Sequence, residues 1–444
     1  MNERPMLTSA DVSRDAAEAQ RYAYWQKRIL LSTIVGYALF YFVRKNLSVA
    51  MPVMEKDLGI GKDQLGLFLT AHGLLYGVSR FTNGVLADRV NARWFMAAGL
   101  AICAGFNIAF GLSTAALAMG VFWAANGWFQ GMGFPPCTRL MTHWFPPQRL
   151  ASVMSVWNIS HSMGAGIIFL LCGVLVDPDW LRYLFGSNTP TDERWRLCFF
   201  VPAGLALVGS VGLAVMLRDT PESLGLPPAP GTGDSSHEHD EPLGATLARL
   251  VFSNRYIWIL SLANFFVYIV RYGMLDWGPT FLKEARGVDL KEASWTVAAY
   301  EGFGILGMVS GGWITDRLFG GRGARACLFY MIGCTTTLVV FWMFPSSSRW
   351  VNAAVLCTAG FFIYGPQCLI GICAANLATK RAAAAAAGLT GLCGYLSTAV
   401  SGYGVGWLAK HYGWNAPFML FGASALCGAV LFLACWPARA SGYE

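Results

Sequence analysis

Two arginines, Arg44 and Arg271, stand in the middle of strongly apolar stretches of this chain. They end two nearly identical tetrapeptides, Tyr41–Arg44 and Tyr268–Arg271, and lie 227 residues apart. The repeat indicates a duplicated chain that keeps one cation at the same place in each half. An ionisable residue inside a membrane segment is a functional-site hypothesis, and a guanidinium group there can bind an anion through its fixed fork of donors.

Cations outnumber anions inside the apolar segments. Four cations lie there: Arg44, Lys45, Arg80 and Arg271. Only Glu301 is a mid-span carboxylate, and Asp276 lies near the end of its span. Each central charge costs about 2.5 to 3.5 kcal/mol, so a purely structural set should be neutralised. Salt bridges that only lock helices together could absorb two of the four cations, and the surplus predicts a cavity that binds an anion.

Hydroxyl and amide side chains accompany the arginines at helical spacing. The three stripes are Tyr37, Tyr41 and Arg44; His72, Tyr76 and Arg80; and Asn264, Tyr268 and Arg271. Arginine binds phosphate oxygens bidentately and stays charged at physiological pH. One arginine from each half, meeting at a pseudo-two-fold axis, would bind a dianionic phosphate near the midplane. A monocarboxylate would use only one of them, so phosphate is the better fit.

Asn158 and His161 lie one turn apart in the fifth apolar segment. A single histidine there is either a hydrogen-bonded packing residue or a group that meets substrate and exchanges protons, and the nearby surplus of cations favours the second interpretation. We predict no metal and no cofactor. His237 and His239 fall in a hydrated acidic loop, and the 12 cysteines lack metal-ligand spacing and read as packing residues. Without a nucleophile–base pair, an enzyme is not expected.

The composition indicates an all-α membrane protein. Of 444 residues, 55% are hydrophobic and 13% charged, and the scattered basic residues form no surface for nucleic acid. Windows of about 20 apolar residues give twelve predicted spans, near 28–50, 63–86, 94–113, 116–142, 152–176, 196–217, 256–280, 293–315, 326–345, 350–376, 383–409 and 415–436.

Two six-helix bundles follow from this pattern, at 28–218 and 251–437. A segment at 1–27, a Pro/Gly/Ser-rich linker at 219–250 and a tail at 438–444 are predicted to be cytoplasmic. With both termini inside, 17 of the 32 Lys and Arg residues fall on the cytoplasmic side and ten on the other. This difference favours that orientation. We expect a multi-pass protein of a bacterial inner membrane, a monomer within the lipid bilayer.

A Gly-x-x-x-Asp-Arg motif ends spans 2 and 8. It contains Asp88 in the first half and Asp316 in the second, and these carboxylates would pair across the short loops and gate the movement of helices. Two further patterns, Gly127-x-x-x-Gly131 and Gly307-x-x-x-Gly311, predict close helix packing. A duplicated six-plus-six chain with this motif resembles the major facilitator superfamily.

A closer resemblance, to the organophosphate:phosphate antiporter family, covers nearly the whole chain. The segments that carry it are Tyr41–Asn46, Met51-Pro52, Trp128–Cys137, Ser155–His161, Arg271–Trp277, Gly365-Pro366, Leu369–Gly371 and Gly388–Tyr395. The family includes transporters of glycerol 3-phosphate and hexose phosphate, and a transporter-like hexose-phosphate sensor. The resemblance implies exchange of a phosphate ester for inorganic phosphate by alternating access.

The resemblance also implies roles for individual residues. Arg44 and Arg271 would hold the phosphoryl group, and the other substrate-binding residues would be His161, Tyr41, Tyr76, Arg80, Asn158, Tyr268, Tyr364 and Tyr395. Two inter-half bridges, Lys45 with Asp276 and Arg80 with Glu301, would loosen when substrate neutralises the site. Relatives similar to the glycerol-3-phosphate transporter carry Lys where this chain has Arg80. The alternative, a membrane sensor of hexose phosphate that signals to a partner kinase, fits the same residues.

Overall fold

The computed structural model describes residues 9–87, 89–185, 193–229, 248–344 and 348–438, and within these ranges the chain is helical with no β-strand. The predicted linker 219–250 therefore falls in part, at residues 230–247, outside the described residues, as do residues 1–8 and 439–444 of the predicted end segments. His237 and His239 lie in that undescribed stretch.

Fifteen α-helices occur in the described ranges. Those of the N-terminal half are α1 Ser9–Leu58, α2 Lys62–Ala87, α3 Ala92–Leu112, α4 Ala116–Gln130, α5 Phe134–Trp144, α6 Pro147–Leu175, α7 Pro178–Phe185 and α8 Leu197–Met216. Those of the C-terminal half are α9 Arg255–Arg286, α10 Leu290–Phe319, α11 Gly323–Met343, α12 Arg349–Leu377, α13 Thr379–Leu396, α14 Val405–Tyr412 and α15 Asn415–Ala434.

The helices follow the twelve predicted spans, with two interruptions. The span predicted at 116–142 consists of α4 and α5, which are separated by a turn at residues 131–133. The span at 383–409 consists of α13 and α14 with a π-helical segment, Ala399–Gly404, between them. By length and composition, seven helical stretches of the described chain could each cross a bilayer. The all-helical class is confirmed.

Close packing explains the predicted glycine patterns. A Cβ atom on Gly127 of α4 would lie 2.5 Å from the backbone oxygen of His72, and one on Gly131 would collide with Ser79. Gly307 of α10 meets the backbone of Phe361 in the same way. The predictions of helix packing at these glycines are confirmed, because any larger residue would force the helix axes apart.

The bundle has two ends, which we call the N-terminal face, where α1 begins, and the opposite face, where α1 ends. Ion pairs join the two halves at the opposite face. Lys62 Nζ lies 3.1 Å from Glu284 Oε1, and Lys410 Nζ lies 2.9 Å from Asp63 Oδ1. A third pair places Lys291 Nζ 2.7 Å from Asp177 Oδ2. The structure is therefore closed at this face.

A backbone seam reinforces the closure. On α2, a Cβ atom at Gly66 would lie 2.6 Å from the backbone oxygen of Gly402, which belongs to the π-helical segment of the other half. Beside this contact, Thr70 Oγ1 donates to the carbonyl of Thr398 at 2.9 Å and accepts from the backbone N–H of Tyr403 at 2.9 Å. The halves thus meet main chain to main chain.

Candidate anion-binding site between the two halves

A cavity of about 260 Å³ lies between the halves. Its walls come from both bundles: Tyr37, Tyr41, Arg80, Phe134, Asn158, His161, Asn264, Tyr268, Arg271, Tyr272, Gln367, Cys368, Gly371, Ala387, Thr390, Gly391 and Tyr395. These residues lie at the middle of their helices or toward the N-terminal face. The cavity is therefore on the side of the bundle away from the closed opposite face.

Arg271 is the buried cation of the cavity wall. Its side chain is 2% exposed, and its guanidinium carbon lies 4.7 Å from the ring centroid of Tyr364 and 5.3 Å from that of Tyr272. Two of its nitrogens, Nε and Nη2, have no hydrogen-bond partner in the described structure. A buried donor without a partner is costly, so these nitrogens indicate a site for an acceptor from outside the chain.

Arg44 lies behind the cavity wall rather than in it. Its guanidinium carbon is 4.1 Å from the ring centroid of Tyr76 and 5.3 Å from that of Tyr41. No carboxylate of the described residues lies within 4.0 Å of Arg44 or of Arg271. Cation–π contacts hold both guanidinium groups in place without a direct ion pair. The buried carboxylate of Glu301 accepts a hydrogen bond from Tyr364, whose ring lies against Arg271, so it offsets only part of the positive charge.

Aromatic rings connect the two arginines on two sides. On one side, the ring centroid of Tyr76 in the N-terminal half lies 5.0 Å from that of Tyr395 in the other half. The Tyr395 centroid in turn lies 6.4 Å from that of Tyr272, which is beside Arg271. Tyr268 approaches the same Tyr395 ring at 5.9 Å.

On the other side, His161 completes the connection. Its ring centroid lies 6.0 Å from that of Tyr41, which belongs to the N-terminal half. The same ring is stacked on Tyr364 of the other half, with 6.4 Å between the centroids. The two guanidinium groups thus lie in one aromatic enclosure that is shared by both halves. Arg271 lies at the cavity, and Arg44 lies behind it against the Tyr41 and Tyr76 rings of the same cluster.

A break in α1 determines the position of Arg44. Val43 has non-helical backbone angles, φ −94° and ψ 18°, so the helix is interrupted one residue before the arginine. The carbonyl of Val43 accepts hydrogen bonds from the side-chain amides of Asn107 at 2.9 Å and Asn126 at 2.8 Å. Gln130 donates to the carbonyl of Phe40 at 3.0 Å. These buried amides hold a kink that would otherwise leave backbone oxygens unpaired.

The sequence reasoning missed these amides, although polar side chains in apolar spans were an available signal. It also treated Tyr37, Tyr41 and Arg44 as one continuous helical face. Tyr37 and Tyr41 do line the cavity, but the kink at Val43 places the Arg44 guanidinium against Tyr76. His72, predicted on the same stripe as Tyr76, instead contacts the Trp123 carbonyl at 3.2 Å.

Lys45 and Asp276 form an ion pair between the halves. Lys45 Nζ lies 2.5 Å from Asp276 Oδ1, which also accepts a hydrogen bond from Ser48 at 3.1 Å. Both charged side chains are largely buried, with exposed fractions of 5% and 11%. This pair absorbs one of the four cations and leaves the other three without a carboxylate partner within the described chain.

The second expected bridge, Arg80 with Glu301, is absent from the described ion pairs. The guanidinium of Arg80 lies 3.9 Å from the ring centroid of Phe134 and donates to the hydroxyl of Tyr395 at 3.4 Å. Glu301 is fully buried and accepts a hydrogen bond from Tyr364 at 2.5 Å. Arg80 lies on the wall toward the N-terminal face, whereas Glu301 is buried behind Tyr364, so the two side chains occupy different places.

His161 has one ring nitrogen available toward the site. Its Nδ1 contacts the backbone oxygen of Asn158, and its Nε2 has no partner in the described part of the chain. The side chain of Asn158 also lines the cavity.

Of the two motif carboxylates predicted to gate movement, Asp88 lies outside the described residues. Asp316 is exposed at the end of α10 and forms no ion pair within the described ranges.

The sequence model of a protein family, the Major Facilitator Superfamily, matches residues 33–402 of the chain. Three relatives match almost the full length. A probable hexose phosphate transport protein of Chlamydia muridarum is 36% identical over 96% of this chain and 94% of its own length. The glycerol-3-phosphate transporter of Bacillus subtilis is 37% identical, again over 96% and 94%. The membrane sensor protein UhpC of Salmonella typhimurium is 36% identical over 93% and 92%.

Proposed function

The chain belongs to the major facilitator superfamily, and from that premise we propose that it is a secondary antiporter. Its substrates are a small organophosphate, hexose 6-phosphate or glycerol 3-phosphate, and inorganic phosphate, which it exchanges by alternating access. Relatives named for transport of hexose phosphate and of glycerol 3-phosphate, each more than a third identical over nearly the whole chain, support this substrate class.

One observation carries the proposal. Arg44 and Arg271 come from different halves, share one aromatic enclosure, and have no carboxylate within 4.0 Å among the described residues. A phosphate dianion would accept hydrogen bonds from the unpartnered Nε and Nη2 of Arg271 and bring negative charge close to both guanidinium groups. Neutral ligands such as free sugars would leave both cations unpaired.

The polar wall of the cavity favours an ester over inorganic phosphate alone. Asn158, Asn264, Gln367 and Thr390 line the cavity together with Arg271. Their amide and hydroxyl groups can bind the hydroxyls of a sugar or glycerol moiety while the arginines bind the phosphoryl group. Both candidate esters offer such hydroxyls, and this wall does not choose between them.

Electrostatics explains obligatory exchange. In the empty site the two guanidinium groups repel each other, so the halves resist the movement that brings them closer. A bound dianion removes this repulsion and lets the opposite face open while the N-terminal face closes. Because the Lys45–Asp276 pair joins the halves, it must separate or shift in that step, and substrate charge near Lys45 competes with Asp276 for it.

Orientation and state of assembly complete the proposal. The protein is placed in a bacterial inner membrane with both termini in the cytoplasm, so that the cavity in this structure faces the cytoplasm. Each chain has its own complete site, which supports a functional monomer. His161, Tyr41, Tyr76, Tyr268, Tyr364 and Tyr395 are proposed to contact or enclose substrate, and Asp316 and Asp88 to act in gating at the N-terminal face.

The decisive experiment uses proteoliposomes loaded with labelled phosphate. We expect rapid loss of label when external glucose 6-phosphate or glycerol 3-phosphate is added, and little loss without an external substrate. Equal efflux in the two conditions would overturn the antiport mechanism. Comparison of the two esters at equal concentration identifies the preferred one.

A second candidate function is a receptor for hexose phosphate. The 36% identity to a relative named as a membrane sensor supports it as closely as the other relatives support transport. A receptor would bind glucose 6-phosphate in a thermal-shift assay yet give no exchange in proteoliposomes, and a kinase would co-purify with it. Rapid exchange excludes a protein that only senses.

A further inference from the structure

We propose that the N-terminal half carries a binding site for an anionic phospholipid on its outer surface, where three arginines meet at the end of α8. The arginines are Arg28 of α1, Arg93 of α3 and Arg218, which follows α8. None of them lines the central cavity, so this site is separate from the one proposed for phosphate exchange.

All three arginines donate to carbonyls of the last turn of α8. These bonds are Arg28 Nε to Met216 at 3.1 Å, Arg28 Nη2 to Val215 at 3.2 Å, Arg218 Nη1 to Leu217 at 2.6 Å and to Val215 at 3.0 Å, and Arg93 Nε to Ala214. The guanidinium groups of three separate segments are thereby fixed around one point. The N-terminal face of the bundle has a compact positive cluster there.

The cluster has far more positive charge than its surroundings neutralise. A helix C-terminus offers about half a negative charge, whereas three arginines bring three positive charges. No carboxylate of the described chain lies within 4.0 Å of any of the three. Asp219, next in sequence to Arg218, accepts instead from Arg139 at 3.1 Å.

Donors remain for a ligand. Arg93 uses only Nε in side-chain hydrogen bonds and Arg218 only Nη1, which leaves the other guanidinium nitrogens of both without an acceptor in the described structure. Burial and then the positive charges of Arg93 and Arg28 lower the pKa of Arg218, as expected for three neighbouring cations. A phosphodiester would bind these free donors and reduce the repulsion.

The surface beside the cluster identifies the ligand as a lipid and not free phosphate. On α1, Leu31 and Val35 follow Arg28 at helical spacing and are 62% and 55% exposed. On the adjacent α8, Val208 and Val211 are 73% and 66% exposed. These two apolar faces run from the arginines into the membrane, where acyl chains can lie against them.

Aromatic residues at the same level mark the membrane interface. Trp94 is 57% exposed and lies 4.6 Å from the guanidinium carbon of Arg93, and Tyr24 is 56% exposed and accepts a hydrogen bond from Arg28 at 2.9 Å. Tryptophan and tyrosine prefer the headgroup level of a bilayer. The arginines therefore lie at the depth of phosphate headgroups, where basic clusters bind anionic lipids.

The test is lipid binding by the purified full-length protein in neutral detergent. Phosphatidylglycerol and phosphatidylcholine are titrated separately, and the melting temperature and the lipid retained in native mass spectra are measured. We expect phosphatidylglycerol to raise the melting temperature and to be retained, and phosphatidylcholine to do neither. In the triple variant Arg28→Gln, Arg93→Gln and Arg218→Gln, affinity should fall about a hundredfold, because each cation contributes about fivefold.

Matched controls separate this site from others. Arg255→Gln removes an exposed interfacial arginine of the other half, whose Nη2 donates to Tyr256 at 3.1 Å, and should keep phosphatidylglycerol binding. Inorganic phosphate is titrated as the probe for the central cavity, and its thermal shift should persist in the triple variant. If the triple variant unfolds, the single variant Arg93→Gln, which loses one side-chain bond, must still weaken lipid binding about fivefold.

Three results would overturn the proposal. Equal shifts with both lipids would show that the headgroup charge is not recognised. Unchanged phosphatidylglycerol binding in the variants that remain folded would place the lipid elsewhere. A phosphate shift that is lost together with the lipid shift would assign the arginines to free phosphate.

Discussion

The two halves carry the same tetrapeptide but divide their buried charges differently. In the described part of the N-terminal half, the buried charged side chains are Arg44 and Lys45, both cationic. In the described part of the C-terminal half they are Arg271, Asp276 and Glu301, two acids and one cation. Duplication therefore kept one arginine per half while the remaining charges became complementary. The halves attract each other through Lys45 and Asp276 and repel through the two arginines.

The helices that carry the arginines also differ. α1 is interrupted at Val43, and two asparagines bind the carbonyl of that residue, whereas α9 is one helix from Arg255 to Arg286. Arg44 consequently depends on a buried polar network, and Arg271 depends on helix packing and aromatic contacts. The same cation is therefore positioned at a kink in one half and within an uninterrupted helix in the other.

The largest effect is expected from the arginines themselves. Arg44→Lys and Arg271→Lys should each reduce phosphate exchange by at least about a hundredfold, because a lysine loses the bidentate geometry, and disrupting a buried charge pair typically costs 2 to 5 kcal/mol. Initial rates in phosphate-loaded proteoliposomes measure this. Arg255→Lys, outside the cavity, serves as the control with normal exchange.

Equal losses in the two variants would support a clamp that uses both halves equally. Full activity in either variant would contradict the paired clamp and leave a single-arginine site. A larger loss of exchange for Arg271→Lys would assign the main phosphate contact to the C-terminal half, where Arg271 has two guanidinium nitrogens without a partner in the described structure.

The next largest effect is expected on stability, from loss of the Lys45–Asp276 ion pair that joins the halves. Lys45→Met leaves Asp276 buried without its partner, and such a loss typically costs about 3 to 5 kcal/mol. The double variant Lys45→Met with Asp276→Leu should recover much of that stability, since neither charge then remains buried. Thermal unfolding in detergent measures the coupling between the two positions. Additive losses in the double variant would show that the pair does not hold the halves together.

A moderate effect is expected from the network that shapes α1. Asn126→Leu removes one donor to the Val43 carbonyl and should raise the half-saturating phosphate concentration about tenfold, as loss of a buried hydrogen bond costs about 1 to 3 kcal/mol. Ser210→Ala is the matched control, because Ser210 donates to the carbonyl of Ala97 at 2.8 Å, a buried bond between α8 and α3 that does not involve α1. An equal rise of the half-saturating phosphate concentration in both variants would show that Asn126 contributes only to general packing.

The smallest effect is expected at the opposite face, where Asp177 and Lys291 join the halves. Burial raises the pKa of the Asp177 carboxyl, but the hydrogen bond and charge of Lys291 and the backbone hydrogen bonds from residues 179 and 180 together outweigh it, so the net pKa is lowered. The hydrogen bond to Asp177 raises the pKa of Lys291. The pair therefore stabilises closure above about pH 4 and below about pH 10.4, and this contribution disappears as pH falls through the lowered pKa of Asp177.

Asp177→Asn should shift the closed population at neutral pH by up to about fivefold, since partly exposed ion pairs are worth at most about 1 kcal/mol. Distances between spin labels at Lys56 and Tyr412, exposed residues of the two halves, report that population. The control is Asp179→Asn, which removes the exposed pair with Arg182 inside one half, 3.9 Å apart, and leaves the hydrogen bond between Lys291 and Asp177 in place. A shift of the same size in the control would remove the inter-half pair as the cause.

Periodicity and charge counting predicted most of the helical architecture. Long apolar windows locate helices such as α3 and α12 within one or two residues, because the bilayer sets their length. They could not predict the turn between α4 and α5 or the π-helical segment Ala399–Gly404, which depend on contacts with other helices. The same limit hid the kink at Val43, whose cause lies in Asn107 and Asn126 on two distant segments.

For the site, seven of the ten side chains predicted to bind substrate line the cavity, and Arg44, Tyr76 and Tyr364 do not. Repetition revealed Arg44 and Arg271, and the Lys45–Asp276 contact exists as the resemblance implied. The Arg80–Glu301 bridge is absent because Arg80 contacts Phe134 and Tyr395 while Glu301 accepts from Tyr364, and charge type alone does not predict such neighbours. Predicting ion pairs between halves requires the relative position of the bundles, which no local pattern contains.

The main-chain seam between Gly66 and Gly402 has a consequence for the speed of the transport cycle. Interlocked side chains must change rotamers before two surfaces separate, and each such change adds to the barrier. Where the backbone of Gly66 lies against that of Gly402, no rotamer has to change for this contact to separate, although the Thr70 hydrogen bonds beside it must break. This seam therefore adds little steric resistance to opening, so we expect the ion pairs at this face and the charges at the centre to supply most of the barrier.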